Sequence, residues 1–128
     1  KRQSEAGYCD VLIPQVYFGF ENEAAPFSET VTEWVQTVTC DSVSLVIGIG
    51  THKYGKVDQW AGSGSMEWTT QWDLPVRQAT QVLETDGTDG LAVYDYATTF
   101  LPESNAERMA QQVEQLGALL RGMPADPL

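Results

Sequence analysis

Asp95 closes a run, Leu91-Ala92-Val93-Tyr94-Asp95-Tyr96, whose other members are apolar or aromatic. A carboxylate there must be paired, hydrogen-bonded or turned toward a site, because an unpaired buried charge is prohibitively costly. Glu21, with Glu23 two residues on, follows a second apolar run, Val11-Leu12-Ile13-Pro14-Gln15-Val16-Tyr17-Phe18. Two carboxylates brought to one rim can divide acid, base and nucleophilic work. Asp95 and Glu21 are therefore the candidate catalytic pair. The competing reading is that exposed loop acids are common on an acidic chain.

Other side chains could bind rather than react. Alternation along a strand places Gln15 and Tyr17 on one face. A glutamine is costly on a helix-packed face, so this pair is assigned to the opposite one. There its amide needs a partner, either a ligand hydroxyl or a group of the protein itself. His52, Lys53 and Tyr54 form a polar cluster directly after the apolar run Ser44-Leu45-Val46-Ile47-Gly48-Ile49-Gly50. His52 is the only histidine and has no Cys or His partners at ligand spacing, which argues against zinc. It is either a substrate-binding group or an exposed loop residue. Tyr17, Phe18, Tyr54, Trp60, Trp68 and Tyr96 supply flat apolar rings on which a ligand could stack. Trp34 and Trp72 are assigned to packing. Gly62-Ser63-Gly64 lacks the lysine and strand–helix setting of a phosphate loop, and no cofactor motif is found.

The elements that must position these groups alternate regularly. The three apolar runs read as buried strands, with Pro14 predicting an irregularity in the first. Ser28 is the expected N-cap of a helix whose stripe is Val31, Trp34, Val35 and Val38, ending near Cys40. Asp73 and Pro75 mark the start of the next, with Val76, Ala79, Val82 and Leu83 as its stripe. The last starts near Ser104 and runs through Ala106, Met109, Ala110, Val113, Leu116 and Leu120 to a C′ glycine, Gly122. Residues 51–70 form a long aromatic-bearing segment of the kind that is usually functional. The order is β-α-β-α-β-α with no tight hairpin. This predicts an α/β fold of three βα units with parallel strands. Residues 1–123 form the expected domain and 124–128 a tail. Three such strands leave both sheet edges open, which calls for further strands or for self-association.

A net charge of −11 over 128 residues argues against nucleic acid and anionic membrane surfaces as partners. It suits a neutral substrate, or serves solubility alone. No apolar run is long enough to span a bilayer. The polar start, Lys1-Arg2-Gln3-Ser4-Glu5, lacks a signal-peptide core. Cys9 and Cys40 are too few for a disulfide scaffold, and both are expected at the N-terminal ends of the strands, away from a site. Whether they bond is open.

The stretch Tyr8-Cys9-Asp10-Val11-Leu12-Ile13-Pro14-Gln15-Val16-Tyr17-Phe18-Gly19-Phe20 resembles the D-x-x-x-P-Q-x-Y strand of the glycosyl-hydrolase-like family 10 proteins, bacterial (β/α)8 barrels also described as a domain of unknown function. Leu45 to Tyr54 is similar to that family's next strand, and Gly90 to Tyr96 to its final one. The resemblance implies the C-terminal part of a TIM (β/α)8 barrel, strands six to eight with their helices. It further implies ligands at the C-terminal strand ends. A glycan substrate or ligand follows, with Asp95 and Glu21 as the carboxylates of a glycoside hydrolase and Gln15, Tyr17, His52, Lys53, Tyr54, Trp60 and Tyr96 as sugar-binding groups. The missing N-terminal barrel half would leave these units inactive alone. The parent protein is expected to be secreted or cell-surface. The alternatives are a non-catalytic carbohydrate-binding or interaction module and a small oligomeric α/β protein.

Overall fold

The structure, a computed structural model, describes residues 10–122. Three parallel strands form one sheet in the order β1-β2-β3: β1 Val11–Leu12, β2 Ser44–Gly50 and β3 Gly90–Tyr94. The helices are α1 Phe27–Thr37, α2 Glu67–Thr70, α3 Leu74–Glu84, α4 Tyr96–Phe100 and α5 Ala106–Arg121. The chain is thus an α/β protein, and α1 and α3 supply the crossovers that parallel pairing demands. No helix among the described residues is long and apolar enough to cross a membrane.

The central strand is apolar on consecutive residues, and all of it but Ser44 and Val46 is buried. Leu45, Ile47 and Ile49 point to one face and meet Val16, Phe27 and Val31, Ala79 and Val82, and Leu116. All three long helices therefore cover the same face of the sheet. Each fully buried aliphatic side chain there contributes roughly 2 kcal/mol. The other face carries Val46, Gly48 and Gly50, in register with Gly90, Ala92 and Tyr94 on β3. On the β1 side it continues through Val11, Ile13, Gln15 and Tyr17. No helix packs on this face among the described residues, and Val11, Ile13 and Tyr94 are each about half exposed, at 50%, 51% and 50%.

Pro14 breaks β1 as expected. Only two residues pair as a strand, and contact with β2 resumes at the single bridge Gln15–Gly48. A Cβ at Gly48 would come within 3.0 Å of the Pro14 carbonyl oxygen, so the close approach needs glycine. β2 has the expected bounds. β3 ends one residue before Asp95, which starts a helix that the sequence did not reveal.

Several helix ends differ from expectation. Ser28 is not an N-cap: α1 begins at Phe27 behind Pro26, and the Ser28 hydroxyl donates to Gln81 Oε1 at 2.7 Å. That helix closes at Thr37, short of Cys40, because Val38 turns extended. Asp73 precedes α3, and Pro75 lies in its first turn as expected, but the Asp73 side chain makes no cap. Gln112 of α5 does that work, its Oε1 accepting from Val76 N at 3.1 Å. α5 starts at Ala106 behind a left-handed Asn105, and Gly122 closes it in a right-handed conformation rather than the expected left-handed one. Cys40 lies at the N-terminal end of β2, bonded to Ser42 Oγ at 3.0 Å, while Cys9 lies outside the described residues.

Residues 51–70 are folded rather than loose. They hold a 3-10 turn, Gly62–Gly64, and α2. Trp68 anchors a second core with Tyr54, Leu74 and Met109.

Candidate functional site

The C-terminal end of the helix-free face gathers three rings above Gly50. Tyr17 and Tyr94 stack with centroids 5.5 Å apart at 30°. His52 stands edge-on to both, 5.1 Å from Tyr17 and 5.3 Å from Tyr94. Parallel pairing explains the meeting: the segment after β1 carries Tyr17, the turn after β2 carries His52, and β3 ends on Tyr94, all on this side. Burial depresses the basicity of His52, and Lys53 adds to the effect while Asp95 opposes it. The imidazole is therefore neutral at neutral pH. Burial, followed by the charges of Tyr94 and Asp95, raises the Tyr17 hydroxyl above its ordinary value.

Asp95 follows directly. Its Oδ1 accepts from Thr98 N at 3.0 Å and from Thr98 Oγ1 at 2.5 Å, forming a capping box for α4. Thr51 Oγ1 bonds Thr98 Oγ1 and Thr99 Oγ1, both at 2.8 Å. Thr99 Oγ1 in turn donates to the Asp95 carbonyl at 2.6 Å. The Thr98 bonds hold the Asp95 carboxyl below the usual carboxylate range, so it is ionised at neutral pH. Thr51, His52 and Thr98 line a pocket of about 240 Å³ together with Lys56 and Ser104, whereas Asp95 lines a separate apolar groove of about 330 Å³ with Val93, Tyr96 and Leu116.

The other candidate residues have mixed placements. Gln15 is solvent-exposed on the face assigned to it, next to Gly48. Lys53 is a bracket: its Nζ donates to the Tyr17 carbonyl at 2.5 Å and to Asp58 Oδ2 at 2.9 Å. Asp58 Oδ1 accepts from Trp60 N at 3.2 Å. Trp60, 82% exposed, is thereby tied back to the backbone at Tyr17. Tyr54 is buried in the second core and donates its hydroxyl to the Trp72 carbonyl at 2.6 Å. Tyr96 is exposed and tilts against Phe100, 5.0 Å away. Glu21 is exposed and takes a bond from Gln71 Nε2. It shares no bonding partner with Asp95 among the described residues. Trp68 is 1% exposed and cannot present a ring face to a ligand.

Two groups escaped the sequence reading. Tyr94 sits in register with Gly50 and completes the ring cluster. Aligning the ends of the three runs would have found it. Glu67 is a buried carboxylate whose oxygens accept from Phe20 N and Glu21 N, both at 3.0 Å. Burial pushes it above the ordinary glutamate value. A Cβ at Gly19 would collide with that carboxylate, so glycine permits the clasp. Nothing in the polar pattern of Glu67-Trp68-Thr69-Thr70 distinguishes such a residue from a solvated one.

The strand ends thus gather two phenol rings stacked on each other, a neutral imidazole edge-on to both and an ionised carboxylate. No group of three or more His, Cys, Asp or Glu is placed to hold a metal ion among the described residues. No protein-family model matches the chain, and no curated protein matches it either.

Proposed function

We propose that these three βα units are the closing segment of a (β/α)8 barrel of the glycosyl-hydrolase-like kind, and that the rim of Tyr17, His52, Tyr94 and Asp95 is part of its glycan site. The observation that carries this reading is the helix-free sheet face. It bears Val11, Ile13, Val46 and Ala92, and it ends in the ring cluster at the C-terminal strand ends. An apolar face flanked by two open edges is what a barrel interior becomes when its remaining strands are out of view. Ligands of such barrels gather at the C-terminal strand ends.

In this reading Tyr17 and Tyr94 stack a sugar ring, Gln15 and His52 bond its hydroxyls, and Trp60 extends the platform. Asp95, ionised, acts as nucleophile or charge stabiliser rather than proton donor. Glu21 is the candidate in the chain for a partner, and upstream strands are the source of the general acid. A second reading is favoured by one observation. Asp95 already serves as a helix cap, which accounts for it without chemistry. The site would then bind a glycan without cleaving it.

One comparison separates them. The chain and its Asp95→Asn and Tyr17→Ala variants are assayed for binding against a glycan panel, and the same substitutions are assayed for hydrolysis in a barrel completed with upstream strands. Hydrolysis lost in Asp95→Asn supports the enzyme. Binding that survives Asp95→Asn and disappears in Tyr17→Ala supports the binding module. Binding by none of the panel sinks both.

A further inference from the structure

Gly50 leaves room for the His52 imidazole to lie directly against the sheet. A Cβ at Gly50 would stand 2.6 Å from His52 Cε1 and 2.7 Å from its Nδ1. The ring is thus pinned between backbone below and the Tyr17 and Tyr94 rings beside it, nearly perpendicular to both at 75° and 86°. In that position Nδ1 is buried and has no hydrogen-bond partner among the described residues. The residue as a whole is only half-buried, and no hydrogen bond to Nε2 is made among the described residues.

This asymmetry fixes the proton. A neutral imidazole carries one N–H and one lone pair. Putting the N–H at Nδ1 would bury an unsatisfied donor, while at Nε2 it remains open to water or a ligand. Among the charged groups facing the ring, Lys53 and Lys56 oppose a second proton, and Asp95 and Asp58 favour one. Burial then tips the ring toward neutrality.

We propose that His52 is held as the neutral Nε2–H tautomer and is the hydrogen-bond donor that reads a ligand oxygen at the Tyr17–Tyr94–Asp95 rim. The identity of that oxygen, a hydroxyl or ring oxygen of a sugar, rests on the glycan reading; the tautomer does not. The rim then offers one fixed donor, His52 Nε2–H, and one fixed acceptor, the Asp95 carboxylate. A ligand is selected by whether its neighbouring oxygens can accept from one and donate to the other.

The chain has a single histidine, so long-range ¹H–¹⁵N spectra of the full 128-residue protein report it without ambiguity. The expected result is the Nε2–H pattern at pH 7, persisting below the pH at which a free histidine titrates. An Nδ1–H pattern, or the equal nitrogens of an imidazolium, at pH 7 overturns the proposal. This measurement needs no variant and so survives any folding defect. Cellotetraose, xylotetraose, maltotetraose and chitotetraose are then titrated in turn. Movement of the Nε2 resonance, with binding about tenfold weaker in His52→Ala, supports the donor role. Equal binding by His52→Ala overturns the donor role and leaves the glycan reading standing. The Nε2–H pattern with no binding of any of the four overturns the glycan reading and the ligand half of the proposal.

Discussion

Lys53 shows how a residue with the right chemistry can be committed elsewhere. It follows His52 at the end of β2, which made it a plausible ligand group. Its ammonium instead joins the Tyr17 carbonyl to Asp58, whose side chain is only 4% exposed. Lys53→Met would leave Asp58 buried without its counter-charge and should cost about 3 kcal/mol in urea denaturation. It should also disturb the tyrosine fluorescence of the ring cluster. Asp95 behaves differently because its partners favour the charged form. Its folded carboxyl titrates below the usual range, so its contribution is present above the ordinary aspartate value and lost as pH falls through the lowered one. The stability gap between wild type and Asp95→Asn should therefore shrink in denaturation series run from pH 6 down to pH 3. A gap that widens toward acid would contradict the capping geometry. Asp95, Tyr17 and His52 were legible because strand ends advertise polar and aromatic groups after apolar runs. Tyr54 was not, since its hydroxyl partner is a backbone carbonyl that no side-chain pattern records.

At the scale of elements, the alternation of strand and helix was legible because apolar periodicity reports burial, and burial is shared by every residue of an element. Ends were harder, because they depend on partners distant in sequence. α3 illustrates this. Asp73 is the right residue type in the right place, yet the Val76 amide is satisfied by Gln112 from another helix. Ser28 likewise spends its hydroxyl on Gln81, not on its own helix. Gln112 is only 5% exposed, so Gln112→Leu can keep the packing while it orphans the Val76 N–H. The expected cost is about 1.5 kcal/mol. Hydrogen exchange at the Val76 amide should speed up more than exchange along β2, and uniform acceleration would show that the cap has no local role.

For the whole molecule, the decisive asymmetry is that among the described residues one sheet face is packed and the other is not. The packed face accounts for the fold; the open face calls for a cover. Ile13 distinguishes whether that cover matters. Its side chain is half exposed at 51% and lies outside both buried cores. Ile13→Lys should therefore change the stability of the isolated folded chain by no more than about 0.5 kcal/mol. If the face is an interior, the same charge is intolerable once the face is covered, because an unpaired ammonium would be buried. Sedimentation should then find the wild-type chain self-associating, more strongly in high salt that screens its net charge of −11, and the variant monomeric throughout. A wild-type chain that stays monomeric at high salt and high concentration would mean that the open face needs no partner. The barrel reading would then lose its main support.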